Sequence, residues 1–384
     1  MAQWNRVPLI DYIELIGGGT PKTTVPEYWN GNIPWLSVKD FNNDKRYVYS
    51  TEKHISQSGF ENSPTKMLHK DDIIISARGT VGEIAMIPFD MAFNQSCYGI
   101  RASRGIDKPF LYYLLKNCIS QLKRMTHGSV FDTITRDTFA NIEVDIPDAE
   151  TQKRISSVLA DIDNKIEVND AINDNLQQQA AALFSSLYDR SNTEVRFTDL
   201  IQILGGGTPK TGENTYWNGN IAFFTPKDVG IPYTLITEKT ISKEGLSHCN
   251  SRLYPVNTVF VTARGTVGKV GMSGVPMAMN QSCYALVGKE THQLLVYFYT
   301  LKAVDRLKHK ASGAVFDAIT TRDFESEQIM KLSDDDATAF LRVAEPMFQE
   351  VLNNNIENLR LSTLRDSLLP KLMSGEIDVS AVLL

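Results

Sequence analysis

Gly17-Gly-Gly-Thr-Pro-Lys-Thr23 returns as Gly205-Gly-Gly-Thr-Pro-Lys-Thr211, and Tyr28-Trp-Asn-Gly-Asn-Ile33 returns as Tyr216-Trp-Asn-Gly-Asn-Ile221, both 188 residues later. The order then holds. Thr51-Glu-Lys53, Ala77-Arg-Gly-Thr-Val-Gly82 and Asn94-Gln-Ser-Cys-Tyr98 recur from Thr237, Ala263 and Asn280, each displaced by 186. Further on, Val130-Phe-Asp132 and Thr135-Arg-Asp137 are answered by Val315-Phe-Asp317 and Thr321-Arg-Asp323. Two copies of one domain explain this most economically, and a repeat constrains every later assignment. Within each copy, short apolar runs at 72–76 and 258–262 end at glycine-containing turns and read as buried strands. Residues 110–122 and 293–307 read as single helices, so the domain is α+β.

After each copy the pattern changes. From 150 to 190 there is no Gly or Pro, and apolar residues fall at alternating spacings of three and four: Ile155, Leu159, Ile162, Ile166, Leu176, Ala180, Leu183, Leu187. That is a coiled-coil seam. Its open positions are Asn169 and Asn173. A shift of 185 gives a second seam, Phe340, Ala344, Met347, Val351, Asn354, Asn358, Leu361, Arg365, Leu368 and Leu372, so the paired asparagines recur. Polar residues at matching depths predict that Asn169, Asn173, Asn354 and Asn358 pair the two helices and fix their register; the alternative is that they are solvated. Pro346 is expected to kink the second helix or delay its start, and Asp334-Asp-Asp336 to cap it. The chain thus divides into similar mixed α/β domains at 1–147 and 191–333 and helical segments at 148–190 and 334–384 that form an antiparallel coiled coil. Forty helical residues span about 60 Å, enough to act as a ruler between two domains.

Net charge is −6, which by itself argues against a polyanionic partner. Divided along the chain, it reads differently. Basic and acidic residues balance at 16 each over 1–145 and favour base, 15 to 12, over 191–333; the excess acid sits in 146–190 and 334–384. A basic face on each domain is therefore compatible with the total. Cys97, Cys118, Cys249 and Cys283 form no Cys-x-x-Cys pair and read as reduced, buried thiols. The first twenty residues show no signal-peptide pattern, and the longest apolar run, 294–304, is interrupted by Lys302 and is about half of what a membrane span needs. A cytoplasmic location is expected.

The repeated Ala-Arg-Gly-Thr-Val-Gly, the Ile146-Pro-Asp-Ala-Glu-Thr-Gln-Lys-Arg-Ile155 lead into a long helix, and the closing Leu368-Leu-Pro-Lys-Leu-Met-Ser-Gly-Glu-Ile377 resemble the specificity subunits of type I restriction–modification enzymes over essentially the whole chain. The resemblance implies that each globular unit is a target recognition domain reading half of a split site in double-stranded DNA. It implies that the helices space those halves and dock two modification (methyltransferase) subunits, with restriction (endonuclease/translocase) subunits joining them. No cofactor is expected in this chain: S-adenosylmethionine, ATP, Mg, adenine N6 methylation and cleavage would belong to partners. The arms of this family usually read different half-sites, so the closeness of these copies predicts related halves.

Candidate contacts follow from comparing the copies. Shared cations should position phosphate, and differing loops should choose bases. Lys22 and Lys210 on the glycine-rich loops, and Arg78 and Arg264 after the buried strands, are the phosphate candidates, since guanidinium matches phosphate geometry. The glycine triplets themselves read as turns before Pro21 and Pro209. Loops 35–50 and 57–70 supply Lys45, Arg46, Asn62 and Lys66; loops 223–236 and 243–256 supply Lys243, His248, Asn250 and Arg252. Tyr28-Trp29 and Tyr216-Trp217 read as core rather than as base-stacking platforms.

Catalytic patterns are lacking. Arg264-Gly-Thr-Val-Gly-Lys269 has the wrong spacing for a phosphate-binding loop, and its twin has Glu83 in place of Lys269. There is no Pro-Pro pair, no Walker A motif and no His-Glu-x-x-His, so no catalytic or metal-binding residue is expected. The alternative reading is a non-enzymatic duplicated scaffold that binds protein or carbohydrate through the same loops.

Overall fold

The computed structural model describes residues 4–126, 133–230, 232–310 and 318–382. The repeated Val130-Phe-Asp132 and Val315-Phe-Asp317 lie outside the described residues. The chain forms two units: Met1–Ile166 with Arg360–Leu384, and Glu167–Leu359.

In the first unit, the order Ile13–Gly17, Cys97–Ala102, Ile73–Ser76, Ile84–Met86 makes an antiparallel sheet. A second sheet runs Lys53–Ile55, Trp29–Leu36, Met91–Phe93, Met67–Leu68. The run Ile73-Ile-Ile75 is apolar without alternation because both faces are covered. Ile73 and Ile75 join the cluster under the helix Lys108–Thr126, with Phe110, Leu114 and Leu122, while Ile74 points to a separate cluster with Phe41, Met91 and Phe93. A strand with period two needs two cores to be apolar throughout.

The second unit repeats this plan. Ile201–Gly205, Cys283–Gly288, Val259–Thr262, Val270–Ser273 and Tyr233–Thr234 form one sheet; Lys239–Ile241, Trp217–Phe224 and Met277–Met279 form the other. Val259 and Val261 face one cluster and Phe260 another, as in the first copy. The helix Gln293–Lys310 covers the first sheet. Burial pushes the Cys97 and Cys283 thiols up to about 12 and Cys118 up to about 11; Cys249 is partly exposed and none of the four is bonded to another.

The two long helices are Ala149–Tyr188 and Asp334–Met373, each of 40 residues. In the first unit, Ile155 and Leu159 share a buried cluster with Leu369, Leu372 and Met373. In the second, Ala180 and Phe184 lie among Phe340, Ala344, Phe348 and Val351. Asn169 and Asn173 are 0% and 4% exposed, so solvation does not account for them. Asn169 Nδ2 donates to Asn358 Oδ1 and to Glu357 Oε2, both at 2.8 Å, and Asn354 Nδ2 donates to Asn173 Oδ1 at 2.9 Å.

The second long helix begins well before Pro346, so the expected delay does not occur. Pro346 lies on the exposed side, where water can satisfy the carbonyl it deprives of a partner, while Phe340, Ala344 and Phe348 hold the buried side. The cap also differs from expectation: the Ser333 hydroxyl accepts from Asp336 N at 3.1 Å and donates to Asp336 Oδ2 at 2.9 Å. The three aspartates supply charge in the first turn. On the first long helix Asp148 accepts from Thr151 N and Oγ1 at 2.9 and 3.0 Å, and the Thr151 backbone bond lowers its pKa.

At one seam position the first unit buries charge. Arg365 donates to Asp163 Oδ1 at 2.9 Å, to Asp44 Oδ2 at 2.7 Å and to Asp366 Oδ1 at 2.9 Å. Tyr113 donates to Asp163 Oδ2 at 2.6 Å, and Lys116 to Asp44 Oδ1 at 2.7 Å. Burial acts to raise the Asp44 pKa, and Lys116 with Arg365 outweighs it, holding the carboxyl below its ordinary value.

Candidate nucleic-acid interface

In each copy, three shared loops meet at the end of the buried strand. In the first, Gly19 N donates to Phe93 O, a Cβ on Gly18 would collide with Asn94 O, and one on Gly19 would collide with the backbone of Thr65. Ala77 and Arg78 donate their amides to Ser96 O at 2.8 and 3.2 Å. In the second, Gly206 packs on Asn280 O, Gly207 on Asn250, and Ala263 and Arg264 donate to Ser282 O. Close backbone approach therefore explains the second and third glycine of each triplet, while Gly17 and Gly205 have open space around them; none of the six has a positive φ. Gly18→Ala is expected to cost about 1–3 kcal/mol through overpacking against a backbone carbonyl that cannot swing away; an unchanged urea midpoint would contradict that.

The Ala-Arg-Gly-Thr-Val-Gly blocks are tight turns. Gly79 and Gly82 have φ of 78° and 85°, Gly265 and Gly268 of 82° and 74°. Ser76 Oγ accepts from Glu83 N at 2.8 Å, as Thr262 Oγ1 does from Lys269 N at 2.9 Å. The glycines shape the turn, and Arg78 and Arg264 are exposed on it.

The same architecture explains the Tyr-Trp-Asn-Gly blocks. Trp29 Nε1 donates to Lys22 O at 3.3 Å and Trp217 Nε1 to Lys210 O at 3.1 Å, so each indole holds the backbone of the loop lysine. Asn30 and Asn218 both have φ of 58° where the strand register shifts. Trp29 and Trp217 are partly buried, packing edge-on against Trp35 and Phe223.

The candidates do not all converge. Lys22, Lys66 and Arg78, and Lys210, Asn250, Arg252 and Arg264, are exposed on or beside these loops. Lys66 and Arg252 occupy the same position in the two copies, so the loops keep a cation where they otherwise differ. Asn62 and His248 are also one position: each follows the last residue of a short helix, Gln57–Glu61 or Lys243–Ser247. Asn62 Nδ2 donates to Ser58 O at 2.9 Å, His248 Nδ1 lies 2.9 Å from Glu244 O, and the imidazole stacks on Tyr216 at 4.9 Å. These side chains serve as caps. Lys243 is exposed at the start of its short helix.

Arg46 needs correction as a base reader. It is 9% exposed, bonds Asn164 Oδ1 and Ala160 O on the first long helix, and lies over the Tyr47 ring at 4.9 Å. Its carbonyl accepts from Met86 N, at the end of the sheet away from the Arg78 turn. Lys45 is exposed but sits between Asp44 and Arg46, both committed to the helices. That loop faces the long helices.

Three further matched pairs went unnoticed in the sequence. Thr20 bonds Gln95 and Thr208 bonds Gln281, tying an exposed amide across the glycine loop in each copy. A Cβ on Gly82 would lie 2.6 Å from Lys123 Cε, and one on Gly268 2.6 Å from Lys308 Cε, so a lysine stem passes beneath each arginine turn. Lys53 and Lys239 each sit 5.7 Å from the centroid of the loop-holding tryptophan. Their regular displacement by 185, 186 or 188 residues was the available signal.

Two copies of one α+β domain, each gathering lysine and arginine on backbone-clamped loops and each followed by a long helix, define a bipartite recognition subunit. The chain belongs to the type I restriction modification DNA specificity family, whose domain matches residues 1–178 and again 190–331. It is 24% identical over 406 residues to the type I restriction enzyme MjaIX specificity subunit of Methanocaldococcus jannaschii, covering 98% of this chain and 94% of that one. It is 25% identical over 354 residues to the HindI specificity subunit of Haemophilus influenzae, covering 70% and 77%. Its fold is similar to the crystal structure of the type I restriction-modification S subunit from M. genitalium, with a TM-score of 0.58 at 15% identity over 97% of this chain and 96% of that one.

Proposed function

We propose that each domain of this specificity subunit reads one half of a bipartite sequence in double-stranded DNA, and that the paired long helices set the gap between halves and dock two modification subunits. The observation that carries this reading is the matched cation set: Lys22 with Lys210, Lys66 with Arg252, and Arg78 with Arg264, exposed on equivalent loops. Matched cations suit phosphate positioning, which is common to both halves; the unmatched polar residues beside them, such as Asn250 against Pro64, suit base choice. A protein- or carbohydrate-binding scaffold would not need arginine and lysine kept at three equivalent positions.

In this reading the chain is not itself an enzyme. Adenine methylation with S-adenosylmethionine, and cleavage with ATP and Mg, fall to modification and restriction subunits bound in the cytoplasm. Among the described residues no helix is long and apolar enough to cross a membrane. The test of the ruler is to insert seven residues, two helical turns, at matching seam positions of both long helices, which preserves seam phase. At 1.5 Å per residue this should widen the gap by about three base pairs and leave the half-site bases alone. Altered half-sites with an unchanged gap would refute it.

A further inference from the structure

The 185-residue shift that overlays the two long helices poses a problem of partner choice, because two helices with the same seam should also pair with copies of themselves. The asparagines cannot prevent this. Asn169 meets Asn358 and Asn173 meets Asn354, and the shift turns Asn354 into Asn169 and Asn358 into Asn173, so two first helices aligned antiparallel would set asparagine against asparagine in the same way. The outer layers are equally indifferent: Ile155, Leu159, Leu183 and Leu187 would meet only one another, as would Phe340, Ala344, Leu368 and Leu372.

One pair of layers is different. The shift maps Asp163 onto Phe348 and Ala180 onto Arg365. In the first unit Asp163 meets Arg365, with side chains 4% and 3% exposed. In the second unit Ala180 and Phe348 belong to one buried cluster with Phe184, Phe298 and Phe340. Each layer is complementary as built, charge with charge and small with large. Two first helices together would set Asp163 against Ala180 twice; two second helices would set Arg365 against Phe348 twice. Either arrangement buries two ions with no opposite charge facing them across the seam, which is more costly than the matched pair. The surrounding bonds from Tyr113 to Asp163 and from Arg365 to Asp44 reinforce the match.

We propose that the Asp163–Arg365 and Ala180–Phe348 layers make the seam selective, so that the first long helix accepts the second long helix and refuses a second copy of itself. The asparagines then set register, and this pair of layers sets identity. On the functional reading above, the consequence is that every assembled molecule carries one recognition domain of each kind; the selectivity itself does not depend on that reading.

The test uses full-length chains carrying two different affinity tags, mixed in denaturant, refolded together and captured through one tag. The double variant Asp163→Phe with Arg365→Ala gives the first unit the Phe and Ala layer that the second already packs, and both homotypic pairings become apolar. Wild-type chains should show background co-capture, and the variant at least tenfold more. A second variant, Asp163→Asn with Arg365→Met, removes the charges with little change in length and should move in the same direction. Ile172→Cys, in a Cys249→Ser background, reports the pairing mode: position 172 lies near the midpoint of the seam, so a short bismaleimide joins it to its counterpart only when two first helices pair. Both variants, folded by circular dichroism, should exchange and cross-link. Wild-type chains that cross-link at 172, or folded variants that exchange no more than wild type, would overturn the proposal, whatever DNA the protein reads.

Discussion

Replacing Arg365 by alanine is expected to lower the stability of the first unit by about 3–5 kcal/mol, the usual cost of removing one partner from a buried ion pair. Arg365 is almost completely enclosed and meets three carboxylates. Burial disfavours its charge, and Asp366, Asp163 and Asp44 outweigh that effect and raise its pKa. Without the guanidinium, the Tyr113 hydroxyl is the one hydrogen bond left to the buried Asp163 side chain among the described residues. Asp44 loses one of its two cations. Urea unfolding followed by circular dichroism should show the first unit melting earlier while the second, with its aromatic layer, holds, so that one transition splits into two. A loss below about 1 kcal/mol would mean that water reaches the pair and that its geometry carries little energy.

The second large effect concerns DNA. The triple variant Lys22→Ala, Lys66→Ala, Arg78→Ala should weaken binding to all duplexes and reduce the slope of log affinity against log salt by roughly 3, close to one unit per lost phosphate contact. All three side chains are exposed, so stability should hardly change. Lys210, Arg252 and Arg264 should behave identically in the other copy. By contrast, Arg46→Ala should leave the salt slope untouched and cost stability, because its partners are Asn164 and Ala160 of the long helix. Equal salt slopes for the triple variant and wild type would remove the matched cations from the interface.

The repeat and the seam could be read without coordinates because both are periodic: a fixed displacement, and alternating threes and fours. The positions assigned to the seam are buried or half-buried throughout, including Arg365, a charge at a seam position. Its distant partners were not legible, since Asp163 and Asp44 lie 202 and 321 residues away and no local pattern joins them. Arg46 was misplaced for the same reason. A cation in a variable loop looks like a DNA contact until the helix packed against that loop is known. Asn62 and His248 misled differently: the shift made them equivalent, yet their unlike chemistry suggested base choice, whereas both return to a carbonyl four residues back. Gly18, Gly19, Gly206 and Gly207 were assigned to turns because clearance between two backbones leaves no sequence signature distinct from positive φ.

The central claim, that the two copies grip separate halves of one duplex, is tested most directly by sequencing the methylated adenines in cells that express this chain with its modification subunits. The account predicts one split motif, two short specified blocks around a fixed unspecified gap, whose blocks change one at a time when loops 57–70 or 243–256 are altered. A continuous motif, or a split one in which a change in either domain alters both blocks together, would contradict it.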